Sequence, residues 1–273
     1  MKQAILVGTG SLVVALAMLG AGFIAGKQQP QAADVPAAAI ETTANATQLE
    51  RGQVEQIVRD YLLANPEIMI EVQQALELKR QEEERTANLA AIEQSRAEIF
   101  NAAYDGVVGN PDGKITIVEF YDYNCGFCKR AQEDMLALTE ADPELRFVLK
   151  EFPILGADSQ KAHVVSMAFR AISPEKYGEF HNQLLGGQGR ATEESAIKIA
   201  LSLGADEARL REEMKNPAIA EAFSETYELA NKLSITGTPS YVVGDEVVFG
   251  ALGKEVLAEK IEAAKAACAD ASC

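Results

Sequence analysis

The hydrophobic positions of this 273-residue chain follow a helical spacing up to about residue 104. They fall into two groups on either side of Asn65-Pro66 and a sparser group after a charged stretch: Val54, Ile57, Val58, Tyr61 and Leu62; Ile68, Met69, Val72, Ala75 and Leu76; then Leu89, Ile92, Ile99 and Ala103. Proline is well tolerated at the first position of a helix, so the pattern predicts two amphipathic helices and a polar helical stalk. Such helices cannot form a core alone, and we expect them to self-associate as a dimer or trimer. The alternative is that they pack against the rest of the same chain.

A different pattern begins near residue 105, where short runs of β-branched and aromatic residues replace the helical spacing. The predicted elements are a strand at 115–121, a helix at 129–139, a strand at 146–152, a helical block from about 159 to 233, a hairpin with strands at 240–243 and 246–249, and a helix at 255–267. The first strand, helix and second strand form a βαβ unit. The fold class is therefore α/β, with a helical insertion between the two halves of the sheet.

The chain begins with an uncharged apolar run, Ala4 to Gly26, preceded by Lys2. Such a run is typical of a signal peptide or a membrane anchor, and its length favours an uncleaved anchor. We expect a periplasmic protein that is anchored to the inner membrane or released by cleavage. The predicted parts of the chain are a signal peptide or anchor at 1–27, a flexible tether at 28–49, a helical oligomerisation segment and stalk at 50–104, the α/β domain at 105–267 and a cysteine-containing tail at 268–273.

Composition narrows the classes of partner. The formal net charge is −16 at pH 7, and 48% of the residues are hydrophobic. An acidic protein is repelled by phosphate backbones and anionic headgroups, which argues against binding to nucleic acid. The hydrophobic share is typical of a globular chain rather than a disordered one.

The candidate chemistry lies in Cys125-Gly126-Phe127-Cys128, between the first predicted strand and the helix that follows it. Two thiols separated by two residues at such a junction are typical of a redox pair. Unpaired N–H groups and the helix dipole stabilise a thiolate at a helix N-terminus, so we predict that Cys125 is the nucleophile. Cys128, one turn further along, is predicted to attack the mixed disulfide that Cys125 forms with a substrate.

A family resemblance is carried by Ile117-Val-Glu-Phe-Tyr-Asp-Tyr-Asn-Cys-Gly-Phe-Cys128 together with Gly237-Thr238-Pro239 downstream. These residues resemble the DsbA-like branch of the thioredoxin superfamily, and the segment Val54 to Glu77 resembles the N-terminal extension of ScsC-type and Com1-type periplasmic proteins. The resemblance implies an α/β, thioredoxin-like fold with a helical insertion (DsbA-like), preceded by an N-terminal helical extension.

The resemblance also implies substrate contacts beside the cysteines. Pro239 corresponds to the family's cis-proline, and the backbone of Thr238 before it would pair with an extended substrate segment. An ordinary turn at Thr238-Pro239 is the alternative. Phe127, between the two thiols, is a third candidate substrate contact.

Glu119, on the strand before the cysteines, corresponds to the buried acid beneath the active site in this superfamily. A buried carboxylate is costly unless it is paired or protonated, and Lys150 on the next predicted strand is the expected partner. Together they are predicted to relay the proton that leaves Cys128. The alternative is that Glu119 is a solvated edge residue.

The two residues between the cysteines, Gly126 and Phe127, carry no charge. We therefore expect the thiolate to depend on helix N-terminal amides and on Lys129 and Arg130. This predicts a depressed Cys125 pKa and a potential less oxidising than that of the strongest oxidants.

Four further residues carry weaker signals. His163 and His181 are the only histidines and are expected to be structural or solvent-facing rather than metal-binding. Cys268 and Cys273 either form a local disulfide or remain tail thiols. We expect no cofactor and no metal site.

Three functions are consistent with these residues. The first is an exported, oligomeric disulfide isomerase that acts on misoxidised cysteine-containing proteins and is kept reduced by a membrane thiol reductase of the DsbD or ScsB type, a partner that the resemblance implies. The second is a monomeric DsbA-like dithiol oxidase. The third is a periplasmic protein that binds Cu(I) through its thiolates, since Cu(I) is a soft ion that prefers sulfur ligands.

Overall fold

The computed structural model describes residues 50–267, and the chain divides into two compact units at Ala64. The predicted anchor, the tether, Cys268 and Cys273 lie outside the described residues. Within 50–267, no helix is long and apolar enough to cross a bilayer. The first unit contributes one described helix, α1 (Arg51–Ala64), in which no residue is buried and most apolar side chains are exposed.

The second unit begins at Asn65 and contains every other described element. In chain order these are α2 (Glu67–Gln94), α3 (Arg96–Phe100), β1 (Gly106–Gly109), β2 (Ile115–Tyr121), α4 (Gly126–Ala141), β3 (Leu145–Glu151), α5 (Ala157–Ile172), a 3-10 turn (Pro174–Lys176), α6 (Tyr177–Leu185), α7 (Glu193–Ser202), α8 (Glu207–Glu213), α9 (Pro217–Lys232), β4 (Ser240–Val243), β5 (Glu246–Phe249) and α10 (Lys254–Ala267). The helix break at Asn65-Pro66 is confirmed, and α2 continues through the charged stretch as one helix of 28 residues.

The five strands form one sheet in the order β1-β3-β2-β4-β5. The β2–β3 pair is parallel and the other pairs are antiparallel, which confirms the predicted βαβ unit and the hairpin. Strand β1 was not predicted because it has only four residues with a glycine at each end. At Gly106 the Tyr177 ring lies so close that a Cβ would be 1.9 Å from it.

Each face of the central sheet is covered by its own core. Residues of odd number in β2, such as Ile117 and Tyr121, face a cluster that includes Met135 of α4 and the insertion helices. Residues of even number, Val118 and Phe120, face a second cluster that includes α9. All seven residues of β2 are buried, so the strand that leads to the cysteines is held from both sides.

The end of the predicted stalk belongs to this second core. Ile92 of α2 and Ile99 and Phe100 of α3 are buried against Val118 and Phe120 of the sheet. The first residues of α2 are different, because Met69, Val72 and Leu76 are more than two-fifths exposed. Packing against the domain, which was the alternative to self-association, therefore holds for the C-terminal part of this segment.

Candidate active site

Cys125 caps the N-terminus of α4. Its backbone is extended (φ −77°, ψ 114°), and its sulfur accepts a hydrogen bond from the Cys128 backbone N–H at 3.3 Å. The turn that precedes it is organised by Asp122, whose backbone carbonyl accepts from the Cys125 N–H at 2.9 Å. The sulfur is therefore presented to the free N–H groups of the first helical turn, as the sequence predicted.

The two thiols have opposite environments. Both are reduced; Cys125 retains a small exposed area, whereas Cys128 is completely buried. A hydrogen bond from the Cys128 thiol, aided by the Thr238 side chain and the amides of Phe127 and Cys128, outweighs burial and lowers the pKa of Cys125 to about 5. Burial, the hydrogen bond to Cys125 and the nearby Glu119 raise the pKa of Cys128 well above its usual range. The pair thus consists of one thiolate nucleophile and one protonated thiol at neutral pH.

The Thr238-Pro239 peptide bond is cis and lies against Cys125. In its protonated form the Cys125 sulfur donates to the Thr238 carbonyl at 3.1 Å, which confirms that this dipeptide and the cysteine are neighbours. Strand β4 starts at the next residue, Ser240, whose hydroxyl donates to the Gly237 carbonyl at 2.8 Å. The strand and this hydrogen bond hold the dipeptide from both ends.

The expected cations have other partners. The Lys129 ammonium donates to the carbonyls of Gly187 and Gly189 at 3.1 and 2.9 Å, and the Arg130 guanidinium lies 4.3 Å from the centre of the Phe127 ring. The prediction that Lys129 and Arg130 support the thiolate is therefore wrong, because hydrogen bonds from uncharged groups are the main causes of the low pKa. The Phe127 side chain is 58% exposed beside the reactive sulfur.

Glu119 lies beneath the dithiol on the central strand and is 3% exposed, which excludes the solvated edge position. Its Oε1 atom is buried and has no hydrogen-bond partner. Burial and the Cys125 charge raise the pKa of Glu119 to about 8, and a hydrogen bond with Tyr241 opposes this rise.

The predicted pair between Glu119 and Lys150 is wrong. Glu119 is in register with Leu149 of β3, so Lys150 points to the opposite face of the sheet. There its ammonium donates to the Asp105 carboxylate at 2.6 Å and to the Glu98 carbonyl. Lys150 joins the end of the helical segment to the sheet and does not reach the cysteines.

Two polar residues that the sequence reasoning missed shape the loop before Cys125. The Asp122 carboxylate accepts from Asn124 N–H, Leu155 N–H and the Ser159 hydroxyl at 2.8 to 2.9 Å. The Asn124 amide exchanges two hydrogen bonds with the backbone of Ala191 at 2.8 and 2.9 Å. The Asp-x-Asn pattern before a helix could have indicated both residues, because Asp and Asn side chains organise turns.

The two histidines belong to a buried polar cluster behind the Cys125 loop. His163 contacts the Glu151 carboxylate through Nδ1, and its Nε2 accepts from the Tyr123 N–H at 3.2 Å. His181 lies 3.4 Å from the Tyr123 hydroxyl, and burial lowers its pKa to about 3. Both histidines are structural, as expected. Across residues 50–267, no three His, Cys, Asp or Glu side chains are arranged to hold a metal ion.

Two family models match the chain. The DSBA-like thioredoxin domain matches residues 116–262, which is more than half of the chain, and the copper resistance protein ScsC N-terminal domain matches residues 50–83.

Solved structures agree with these matches. A thioredoxin-like oxidoreductase from Silicibacter pomeroyi DSS-3 shares 38% identity and covers 63% of this chain and 98% of its own, with a TM-score of 0.59. ScsC of Proteus mirabilis in a transitional conformation shares 28% identity and covers 81% of this chain and 99% of its own, with a TM-score of 0.58.

Curated relatives match only in part. Disulfide bond formation protein D of Bacillus subtilis (strain 168) is 25% identical over 166 residues, which is 57% of this chain and 75% of that protein. The Na(+)/H(+) antiporter NhaA 1 of Salinispora arenicola (strain CNS-205) is 25% identical over 160 residues, and the chain spans 24% of its length.

Proposed function

Because the chain belongs to the family of DsbA-like thioredoxin-domain proteins, we propose that it is a periplasmic thiol–disulfide oxidoreductase that isomerises misoxidised proteins. The observation that carries the proposal is the asymmetry of the pair. Cys125 is a thiolate next to Thr238, whereas Cys128 is buried and protonated. Attack and resolution are thereby assigned to different sulfurs.

The chemistry is a pair of exchange steps. The Cys125 thiolate attacks one sulfur of a wrong disulfide, the sulfur–sulfur bond breaks, and the departing substrate cysteine leaves as a thiolate that takes up a proton. A different substrate thiolate then attacks the mixed disulfide, forms the new substrate disulfide and returns Cys125 as a thiolate. No net electron is gained or lost in this cycle, so the dithiol must remain reduced.

Substrate contacts are assigned to three residues around the reactive sulfur. The backbone of Thr238 and the adjoining Pro239 would pair with an extended peptide, as a strand added at a sheet edge does. The exposed Phe127 ring would contact apolar side chains of a misfolded client. Glu119 would accept the Cys128 proton whenever Cys128 resolves a trapped mixed disulfide, a step that forms the Cys125–Cys128 disulfide and releases the client cysteine as a thiolate.

The helical segment would hold several active sites together. It matches the ScsC N-terminal domain, and both α1 and the start of α2 expose apolar side chains. Joining active sites in a dimer or trimer raises the effective concentration of each thiolate around a held client. A membrane thiol reductase of the DsbD or ScsB type would return any oxidised pair to the dithiol.

The decisive experiment measures recovery of activity from a scrambled multi-disulfide substrate. The full chain in mild detergent is compared with Cys125→Ser and Cys128→Ser variants in a glutathione buffer. We expect recovery with the wild type and none with Cys125→Ser. Recovery equal to that of Cys125→Ser would overturn the isomerase proposal.

An oxidase is the second candidate, and the low pKa of Cys125 favours it. A stabilised thiolate favours the reduced enzyme and makes its disulfide a stronger oxidant. The relative named disulfide bond formation protein D points the same way. An oxidase would oxidise a reduced, unfolded substrate rapidly from its disulfide form but would not rescue the scrambled one.

Copper(I) binding is the third candidate, favoured by the match to the N-terminal domain of a copper resistance protein. Cys125 and Cys128 supply two sulfur ligands, which suit a soft ion. A stoichiometry of one Cu(I) per chain that is lost in Cys125→Ser/Cys128→Ser would support it. Equal copper content in the two proteins would exclude the dithiol as the site.

A further inference from the structure

Glu119 is a buried carboxyl group without a cation. Among residues 50–267, none of the ion pairs includes it, and its Oε1 atom has no hydrogen-bond partner. An ionised carboxylate in such a place is costly unless a neighbouring group stabilises it. The neighbour that can do so therefore decides whether Glu119 is able to accept a proton.

Tyr241 occupies that position. It lies on β4 directly opposite Glu119 in the antiparallel register, and its side chain is 2% exposed. Directly opposite residues of antiparallel strands project from the same face with their Cβ atoms about 4.5–5.5 Å apart. Both side chains are buried on this face, and the Tyr241 side chain is the hydrogen-bonding group that lowers the pKa of the Glu119 carboxyl group. A phenol can donate to either carboxyl oxygen and adds no charge.

We propose that the Tyr241 hydroxyl is a positioning donor that keeps the Glu119 carboxylate available to take the Cys128 proton during resolution of the mixed disulfide. This inference rests on the proposed dithiol chemistry. In the step, the Cys128 S–H bond breaks and its proton goes to Glu119. The new thiolate attacks the Cys125 sulfur, the intramolecular disulfide forms, and the substrate sulfur leaves with the electron pair of the broken bond.

The remaining charged groups around this pair are few. Helix α4 contributes Cys125 and Cys128 toward Glu119, and Asp134 toward Tyr241. Asp134 in turn interacts with Glu255 and Lys254 of helix α10 and with Glu133 of α4. All of these charged groups remain in a Tyr241→Phe variant. A change in the pH dependence of resolution is therefore due to the loss of the hydroxyl.

The direction in which Tyr241→Phe shifts the pH dependence of resolution follows from how each neighbouring group changes the Glu119 pKa. Burial and the Cys125 charge raise the pKa of Glu119 to about 8, and the Tyr241 hydrogen bond lowers it. In the mixed disulfide Cys125 carries no charge, so burial is the cause that still raises the Glu119 pKa. Below the Glu119 pKa of that state the carboxyl group is protonated and cannot accept a proton, so resolution slows as the pH falls. Removing the hydroxyl raises the Glu119 pKa further and moves the rate profile to higher pH.

The test uses the reagent 5,5′-dithiobis(2-nitrobenzoate) and the full chain in detergent, with Cys268 and Cys273 replaced by serine in every protein so that Cys125 and Cys128 supply the reacting thiols. The first thionitrobenzoate released reports the attack by Cys125, and the second reports resolution by Cys128. At pH values below the Glu119 pKa of the mixed disulfide we expect the second release to be about tenfold slower in Tyr241→Phe, since a hydrogen bond to a charged group is worth about one pKa unit or more. The two proteins should converge at high pH, with the first release unchanged.

Matched variants separate this role from a structural one. Tyr227→Phe removes a hydroxyl that donates to the Pro153 carbonyl in the same unit, and we expect its profile to equal that of the wild type. In Glu119→Gln, an added Tyr241→Phe change should have no further effect. An unshifted profile in Tyr241→Phe, or full additivity with Glu119→Gln, would overturn the inference.

A direct titration keeps the inference independent of protein substrates. The Glu119 carboxyl carbon, assigned by its absence in Glu119→Gln, should titrate at higher pH in Tyr241→Phe, whether or not the isomerase assay succeeds. If Tyr241→Phe does not fold, site-specific 3-fluorotyrosine at position 241 is a stronger donor and should move the titration to lower pH. An unmoved titration in the folded variant would contradict the proposal even if the enzyme isomerises proteins.

Discussion

The pKa of Cys125 is lowered mainly by hydrogen bonds from uncharged groups. The Cys128 thiol, the Thr238 side chain and the first amides of α4 all contribute, while Lys129 and Arg130 contact the insertion loop and the Phe127 ring. Hydrogen bonds to the charged form of a group favour that form. A positively charged residue between the cysteines is therefore not required for a reactive thiolate.

Replacing Thr238 by valine should raise the pKa of Cys125 by about one unit, because a hydrogen bond to the thiolate is lost while the branched shape is kept. The measurement is thiolate absorbance as a function of pH in the reduced protein. Thr238→Ser retains the hydroxyl and should keep the wild-type value. An unchanged pKa in Thr238→Val would show that the hydroxyl does not stabilise the thiolate.

At the residue scale, the site residues could be predicted from the sequence where a short motif identifies them. Cys125 and Cys128 at a strand–helix junction and Thr238 before Pro239 have distinctive neighbours in the sequence, and the structure brings all four together. Tyr241 carries no such signal, because a tyrosine in a β-rich run is ordinary. Its importance arises from being opposite Glu119, which only the pairing of β4 with β2 decides.

Elements were predictable where a continuous apolar run ends in clear breaks. Strand β2 lies at the predicted residues, and β3 is displaced by only one. The predicted contact between Glu119 and Lys150 is wrong because of the register between β2 and β3, since adjacent residues of a strand point to opposite faces of the sheet. Glu119 pairs with Leu149, so Lys150 lies on the far face, and no property of either segment alone specifies that offset.

Lys150 should act on stability rather than on the thiols. Its ammonium and the Asp105 carboxylate are both buried, and burial raises the pKa of Asp105 to about 7 while lowering that of Lys150. Lys150→Met leaves Asp105 unpaired and should lower the free energy of unfolding by about 3 kcal/mol, measured by urea denaturation. Asp105→Leu/Lys150→Met should regain most of this loss.

The pH profile of the thiols provides the control for this prediction. Lys150 faces away from Glu119, so the Cys125 titration and the release of thionitrobenzoate by Cys128 should match the wild type in every variant that folds. A shift in the Cys125 titration or in the pH dependence of thionitrobenzoate release in the double variant would show that Lys150 takes part in the proton relay after all.

The whole molecule combines a well-packed domain with a helical segment whose surface is left apolar. In α1, Ile57, Val58 and Tyr61 are at least half exposed, and in α2 Met69, Ile70 and Val72 are as well. Singly exposed apolar side chains are ordinary, but exposure on this scale supports the proposed self-association. Covering them with other copies of the chain would bury this area without altering the dithiol.

Ile57→Asp should therefore separate assembly from thiol chemistry. A charge at a buried contact would be unpaired, so we expect the variant to have a smaller mass by light scattering, corrected for detergent. Isomerisation of a scrambled substrate should fall several-fold with it, because neighbouring active sites no longer share a client. The Cys125 pKa should stay at the wild-type value, since the dithiol lies in the other compact unit.

Gln53→Asp, a polar change on the same helix, should preserve both mass and activity. Loss of assembly without loss of isomerisation would show that one active site suffices, and a wild-type mass in Ile57→Asp would remove this face of α1 from the interface.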